Sequence, residues 1–156
     1  MQINVVTDKF NLGGGVEHIF QLTKGLPDIE FRVFAKGGNA EDKFVNLKNV
    51  TINAEGYHPT DILRQKADLI HFHHLKPLVV FFRNPFFKSR IPTIFTAHGL
   101  HIHKYEFMDS IMASIKYSLR FNLEKQMYKK VDRIIAVSQE DQDFLEERYH
   151  LKHVTY

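Results

Sequence analysis

The 156-residue chain contains no cysteine. Disulfides, thiolate metal sites and cysteine nucleophiles are therefore excluded, and the composition suits a reducing compartment. The chain also lacks any uncharged run near the roughly 18 residues that a membrane-spanning helix needs. Because no basic segment followed by an apolar one opens the sequence, we expect no secretory signal and a cytoplasmic location.

Acidic residues are also missing from one long stretch, between Asp68 and Glu106, although the net charge of the whole chain is only +3. The same stretch contains several histidines and five basic residues: Lys76, Arg83, Lys88, Arg90 and Lys104. A local positive potential attracts phosphates, nucleic acid or anionic lipid. The charge alone does not distinguish these three kinds of partner.

The main positive feature of the sequence is an alternation of short apolar runs with stretches of helical periodicity. The apolar runs predict strands at Ile3–Thr7, Phe31–Ala35, Val50–Asn53, Asp68–His73, Pro92–Thr96 and Arg133–Val137, with a further strand starting in His153–Tyr156. Helices are predicted at Val16–Lys24, Pro59–Gln65 and Glu106–Lys130, and after Ser138. This alternation predicts one α/β domain over residues 1–156, with a doubly wound, mostly parallel sheet. Ligands of such sheets bind beyond the carboxyl ends of the strands.

The longest predicted helix, Glu106–Lys130, is amphipathic. Its apolar side chains form one stripe, which consists of Met108, Ile111, Met112, Ile115, Leu119, Leu123 and Met127. The helix after Ser138 begins with a capping pair, because Asp141 follows the serine by three residues.

A glycine loop, residues 13–15, follows the first predicted strand and precedes a helix. Glycines in this place let backbone N–H groups close around a phosphate, helped by the positive end of the helix, and a plain turn is the alternative. At Gly15 we expect a turn with positive φ, which glycine tolerates cheaply, just before Val16. A dinucleotide-binding fingerprint fits poorly, because His18 stands where its third glycine would be.

Histidines cluster at the ends of two predicted strands. His71 and His73 share one face of their strand and His74 follows, a pattern that zinc sites use. No carboxylate or cysteine stands near enough in sequence to complete such a site, so we favour a hydrogen-bonded core role for His71, a solvated loop position for His74, and no metal. His98 and Gly99 follow the next strand, where a histidine suits acid–base chemistry or the binding of a sugar hydroxyl. A structural role for His98 is an equal alternative on these residues alone.

Four segments occur in order along the chain: Gly14–Glu17 (GGVE), Asp68–His73 (DLIHFH), Pro92–Gly99 (PTIFTAHG) and Tyr128–Ser138 (YKKVDRIIAVS). Together they resemble glycosyltransferase family 4, retaining enzymes with two Rossmann-like domains in the GT-B fold. The family includes many bacterial lipopolysaccharide, capsule and phosphatidylinositol mannosyltransferases. The resemblance covers nearly the whole chain. It implies that residues 1–156 are the N-terminal, acceptor-side, Rossmann-like half of such an enzyme.

The resemblance also implies roles for individual residues. Gly14 and Gly15 are expected near the donor diphosphate, and His98 is expected to be the catalytic histidine at the reaction centre. Four residues are expected to line the acceptor side of the cleft: Glu17, His73, Gly99 and Ser138. Of these, Glu17 is expected mainly to support the glycine loop and Ser138 mainly to cap a helix. No metal and no cofactor are implied, since the nucleotide sugar is a substrate.

Family members continue into a second Rossmann-like domain, which holds most donor contacts and a spaced pair of glutamates. That domain is absent from this sequence, so we expect it in cis or in trans, and we expect the 156 residues alone to be inactive. The implied activity moves a sugar from a nucleotide-diphosphate donor to a glycan or lipid-linked acceptor with retention of configuration. One alternative is a non-catalytic subunit that recruits an acceptor or a membrane for another chain, and a more distant one is a sugar-nucleotide epimerase. None of these involves nucleic acid.

The segment Lys76–Arg90 combines four phenylalanines with four basic residues and no acid. Further basic residues follow on the long helix: Lys116, Arg120, Lys125, Lys129 and Lys130. Interfacial segments combine aromatic and cationic side chains in this way, and relatives with lipid acceptors dock to membranes through this domain. Peripheral attachment to the inner face of an anionic membrane is therefore one interpretation. The other is that Leu78–Phe82 forms a crossover helix packed on the sheet.

Overall fold

A computed structural model describes residues 1–84, 87–99 and 110–156 of the chain. Its strands are β1 (Gln2–Val6), β2 (Glu30–Phe34), β3 (Val50–Asn53), β4 (Leu69–Phe72), β5 (Thr93–Ala97), β6 (Arg133–Ala136) and β7 (Val154–Thr155). They form a seven-stranded sheet in the order β3-β2-β1-β4-β5-β6-β7, and every pair of neighbours is parallel. The predicted doubly wound, mostly parallel sheet is confirmed.

The strand order reverses between β1 and β4. The chain moves outward from β1 through β2 to β3, and then returns to the other side of β1. Val5 in β1 is therefore paired with Val33 of β2 on one side and with His71 of β4 on the other. In doubly wound sheets the ligand crevice opens at such a reversal, beyond the carboxyl ends of the strands. The fold thus places the expected crevice next to the residues that follow β1 and β4.

Each face of the sheet has its own apolar core, because alternate residues of a strand point to opposite faces. In β1, Ile3 and Val5 join one cluster of buried side chains, whereas Val6 joins the cluster on the other face. Asn4, which stands between Ile3 and Val5 in the sequence, is also buried. Its side-chain amide donates to the carbonyl oxygen of Ile62 at 3.0 Å. Since both faces are covered, the strands read as nearly continuous apolar runs.

The helices are α1 (Gly14–Gly25), α2 (Pro59–Arg64), α3 (Leu75–Phe81), α4 (Ile111–Tyr128) and α5 (Gln139–Glu147), with a 3-10 turn at Glu41–Phe44. Ser138 caps α5, and its hydroxyl accepts from the N–H of Asp141 at 3.1 Å, as the capping pair predicts. Helix α3 buries Leu78 and Phe81, which supports the crossover-helix interpretation of this segment. None of the helices in the described part of the chain is both long and apolar enough to cross a membrane.

The apolar stripe of α4 does not face the core. Such a stripe is normally the buried face of a helix, but Ile111 is 84% exposed and Leu119 is 68% exposed. Met127, near the end of the helix, is the one member of the stripe that is buried among the described residues. Met108 and the expected start of the helix lie outside the described residues.

A different face of α4, which combines aromatic side chains with a polar network, is turned inward: Tyr117, Phe121 and Tyr128 pack in or against the apolar core. Glu124 is only 1% exposed, pairs with Arg120 one turn earlier, and accepts a hydrogen bond from the hydroxyl of Tyr149 at 2.8 Å. A buried carboxylate is costly unless it is paired in this way. The face of α4 that carries Glu124 and these aromatic side chains is therefore turned inward, and the apolar stripe is left on the outside.

Candidate active site at the carboxyl edge of the sheet

The residues after β1, β4 and β5 meet at the edge where the strand order reverses. His73 follows β4 and His98 follows β5, and their Nδ1 and Nε2 atoms are 2.9 Å apart, within hydrogen-bond distance. Gly15, in the first turn of α1, lies against His74, since a Cβ at this glycine would be 3.5 Å from the ring. Gly14 is the neighbour of Gly15 at the start of α1. The prediction that Gly14, His73 and His98 lie at one edge of the sheet is therefore confirmed.

Four imidazoles form a row at this edge. His71 lies at one end, where its Nε2 is 2.7 Å from the hydroxyl of Thr96 and its ring centre is 4.2 Å from that of His73. His18, on α1, approaches the rings of His73 and His98 edge-on, with centre-to-centre distances of 5.5 and 5.0 Å. The hydrogen-bonded core role predicted for His71 is confirmed.

The imidazoles of this row are held in the neutral form. Burial, reinforced by neighbouring histidines, lowers the pKa of His71 to about 3 and that of His73 well below its usual range. Burial next to His18 and His74 lowers the pKa of His98 to about 4. Burial also lowers the pKa of His18. A neutral imidazole carries one N–H donor and one nitrogen lone pair, so His98 can donate to a ligand, accept from it or take up a proton.

A cavity of about 210 Å³ opens beside His98. His73, Gly99 and Gly15 also line the cavity, as do Arg120 and Glu124 of α4. The Arg120–Glu124 pair thus stabilises the buried carboxylate and also brings a guanidinium to the cavity. A guanidinium is well suited to bind phosphate oxygens.

The glycine loop differs from the sequence-based expectation in one respect. Gly15 does not have a positive φ, because the helix begins at Gly14, earlier than the predicted start at Val16. Gly13 is the N-cap residue, and glycine offers no side chain to cap the first N–H groups. Those groups have no acceptor within the helix, and with the helix dipole they form a site that favours an anion.

Two of the predicted cleft residues do not line this cavity. Glu17 forms an ion pair with Lys43 and accepts from the side-chain amide of Gln21 at 2.7 Å. Ser138 caps α5. Neither of them lines the 210 Å³ cavity, whereas His73 and Gly99 do.

His74 is not a solvated loop residue, in contrast to the expectation. Its Nδ1 is 2.8 Å from the hydroxyl of Thr7, the residue that follows β1. Asp8 comes next and accepts from the hydroxyl of Tyr57 at 2.7 Å. This bond tethers the end of β1, while the contact of His74 with Thr7 ties β1 to β4 across the reversal point.

Sequence reasoning missed His18, Arg120 and Glu124 as site residues. In the sequence, His18 is only a misfit to a dinucleotide fingerprint, although its place near the start of α1 puts it close to the edge of the sheet where β1 ends. Glu124 stands four residues after Arg120, which is the spacing of an ion pair on a helix. A carboxylate and an arginine at that spacing beside an apolar stripe could have indicated a buried pair.

Comparison with known proteins decides the family. The family model for glycosyltransferase family 4 matches residues 12–156. The chain belongs to glycosyltransferase family 4. Among solved structures, this family 4 domain is similar to the sucrose-phosphate synthase of Thermosynechococcus elongatus, with a TM-score of 0.71 and 13% sequence identity. The match covers 99% of this chain and 47% of the synthase chain, so the domain spans about half the length of that protein.

At this identity the structural match bears on the fold alone, and it agrees with a Rossmann-like half of a GT-B glycosyltransferase. No curated protein matches the sequence of this family 4 domain.

Proposed function

We propose that the chain is the acceptor-side half of a retaining glycosyltransferase, which moves a sugar from a nucleotide-diphosphate donor to a glycan or lipid-linked acceptor. The observation that carries the proposal is the juxtaposition of His98, the α1 N-terminus and a cavity at the strand-order reversal. Family membership supplies the reaction class. The donor, the acceptor and the retention of configuration are part of the proposal.

The donor diphosphate is assigned to the N-terminus of α1. Gly13, Gly14 and Gly15 present backbone without side chains there, so phosphate oxygens can approach the N–H groups closely. Arg120, which also lines the cavity, adds a second positive group. Phosphate bound between them leaves the sugar next to His98.

His98 is assigned the role of holding the transferred sugar. Its neutral ring is hydrogen-bonded to His73, which is almost fully buried and therefore fixed in place. When the bond from the anomeric carbon to the diphosphate breaks, positive charge develops on the sugar. A neutral, preoriented imidazole stabilises that charge better than an imidazolium does, because it adds no charge of the same sign.

The remaining donor contacts are assigned to a second domain, in cis or in trans. The matched synthase chain is about twice as long as the part that aligns with this domain. Alignment of the anomeric carbon, the leaving phosphate and the acceptor hydroxyl requires groups on both sides of a cleft. The 156 residues alone are therefore expected to bind a donor weakly and not to turn over.

The test uses the full-length protein, or this domain mixed with a separately encoded second domain. It is incubated with a panel of nucleotide sugars and candidate acceptors, and release of nucleoside diphosphate is measured. The anomeric configuration of the product is then read by NMR. A product with the donor's configuration supports the proposal, and an inverted product contradicts it.

A second candidate function is a recruiting subunit that docks an acceptor or a membrane on the cytoplasmic side. The exposed stripe of α4, which includes Ile111 and Leu119, favours this candidate. The segment Lys76–Arg90 favours it less, because Phe81 and Phe82 are buried in the core and cannot enter a headgroup layer. Co-sedimentation with anionic vesicles tests this candidate. If the stripe contacts the membrane, the Leu119→Glu variant should no longer sediment with the vesicles.

A further inference from the structure

His18, His73 and His98 form a compact group within the row of imidazoles. One nitrogen from each ring lies within 4.8 Å of the nitrogens of the other two. The three residues come from different elements, α1, the end of β4 and the end of β5, so the group is assembled by the fold and not by a local sequence motif. A tetrahedral zinc with Zn–N distances of 2.0–2.1 Å separates its nitrogens by about 3.3 Å.

The geometry needs only a small adjustment to accept an ion. A hydrogen bond between His73 Nδ1 and His98 Nε2 holds these two rings together. The widest separation between the candidate ligand nitrogens of the group must close by at most about 1.5 Å to reach the zinc spacing. His73 is buried and fixed, whereas His18 and His98 are half-buried. Rotation of these two side chains supplies the movement.

Two nitrogens of the group also lack the partners that buried polar atoms normally have. Within the described part of the chain, Nδ1 of His18 and Nε2 of His73 are buried without a hydrogen bond. The His73 side chain that carries one of them belongs to a residue that is 1% exposed. In the ring of His73, Nδ1 is taken by His98, whereas Nε2 has no partner and can give its lone pair to a metal ion.

We propose that His18, His73 and His98 bind a divalent transition-metal ion, with zinc as the best-suited ion. Imidazole nitrogen suits zinc, cobalt, nickel and copper, whereas magnesium and calcium require oxygen ligands. The group contains no carboxylate, so it does not meet that requirement. The cavity that borders His73 and His98 leaves a fourth position for water or for a substrate oxygen.

The proposal of metal binding does not rest on the proposed glycosyl transfer, although both use His98. An ion on His98 would occupy a nitrogen that the sugar is proposed to use, so zinc and the donor would compete. For that reason the test measures binding in the absence of nucleotide sugar, and its outcome does not depend on whether the transferase assignment is correct.

The experiment uses tag-free, chelator-treated protein, titrated separately with Zn²⁺, Co²⁺ and Mg²⁺. Calorimetry should give about one equivalent of Zn²⁺ per chain and no heat with Mg²⁺, and the cobalt form should show visible absorption typical of low-coordinate Co²⁺. Absence of zinc binding, or binding of Mg²⁺ with equal affinity, would overturn the proposal.

Variants assign the ligands. His18→Ala should weaken zinc binding at least about tenfold and remove the cobalt absorption, and it should fold because His18 is only half-buried. His98→Ala provides the same measurement from the opposite side of the group. His150→Asn is the matched control, since it removes an exposed histidine outside the group and keeps a residue that tolerates its positive φ. Unchanged zinc affinity in both His18→Ala and His98→Ala would contradict the assignment.

Discussion

The row of imidazoles has a closed end and an open end. His71 and His73 are almost fully buried, and His71 is bonded to Thr96 inside the sheet. His18 and His98 are half-buried, and His98 borders the cavity. Burial keeps all four rings neutral, so access rather than charge separates the two ends. One cluster thus combines side chains that are enclosed in the sheet at its closed end with a side chain that borders the cavity at its open end.

The largest effect is expected at the open end. His98→Ala in the full-length enzyme should lower kcat roughly a hundredfold, because positioned groups at a reaction centre are worth at least that much. Its cost in folding free energy should be about 1 kcal/mol or less, since water from the cavity can replace the bond to His73. Steady-state kinetics and thermal unfolding measure the two effects. Near wild-type turnover of the variant would contradict a catalytic role for His98. Loss of folding would show instead that His98 has a structural role, like His71 and His73.

The opposite pattern is expected at the closed end. Thr96→Val keeps the shape of the side chain but leaves the buried Nε2 of His71 without its partner. The free energy of unfolding should fall by about 1–3 kcal/mol, while kcat in the full-length enzyme should stay within a few-fold of wild type. Thr23→Val is the control, because the Thr23 hydroxyl donates within its own helix to Phe20 at 3.0 Å and should matter less. A Thr96→Val enzyme that is stable but inactive would contradict the assignment of stability to the closed end and catalysis to the open end.

A fall in pH should reduce the contribution of these histidines to the free energy of unfolding. The folded pKa values of His71 and His98, about 3 and about 4, lie below the unfolded value near 6.5. The unfolded chain therefore binds more protons in this range, so the stabilising contribution is complete above about pH 6.5 and is lost as pH falls towards 4 and then 3.

Urea unfolding at a series of pH values measures this dependence. A fully buried histidine contributes at most about 1.4 kcal/mol per pH unit, and His71→Leu should reduce the slope by part of that amount. A free energy of unfolding that stays constant between pH 7 and pH 5 would show that these rings are not held neutral by the fold.

The sheet could be predicted from the sequence because its strands are buried on both faces and read as apolar runs. The edge that carries the site followed from the same pattern, since parallel strands end on one side. The orientation of α4 could not be predicted, because periodicity defines a stripe but not what covers it. The face that is turned inward carries the Glu124 network together with the aromatic side chains of Phe121 and Tyr128, and the stripe with Ile111 and Leu119 is exposed. The histidine group was missed for a related reason: His18 joins His73 and His98 only through the packing of α1 on the sheet.

The smallest effect, a several-fold loss of donor affinity, is expected at the glycine loop. Substitution there changes access to the open end of the row without replacing a histidine. Both Gly14 and Gly15 stand in the first turn of α1, but a Cβ at Gly15 would be 3.5 Å from the ring of His74 whereas one at Gly14 meets nothing within 4 Å. Gly15→Val should therefore narrow the cavity side of the loop and weaken donor binding several-fold in the full-length enzyme. Gly14→Val keeps the same backbone N–H groups and adds its side chain to open space, so it should weaken binding less.

Both variants should change the free energy of unfolding by about 0.5 kcal/mol or less, because neither glycine has a positive φ and valine is a slightly better helix former than glycine. Calorimetric titration with the nucleotide sugar measures the affinities. Equal affinities in Gly15→Val and the wild type would mean that the loop is a turn that does not contact the donor.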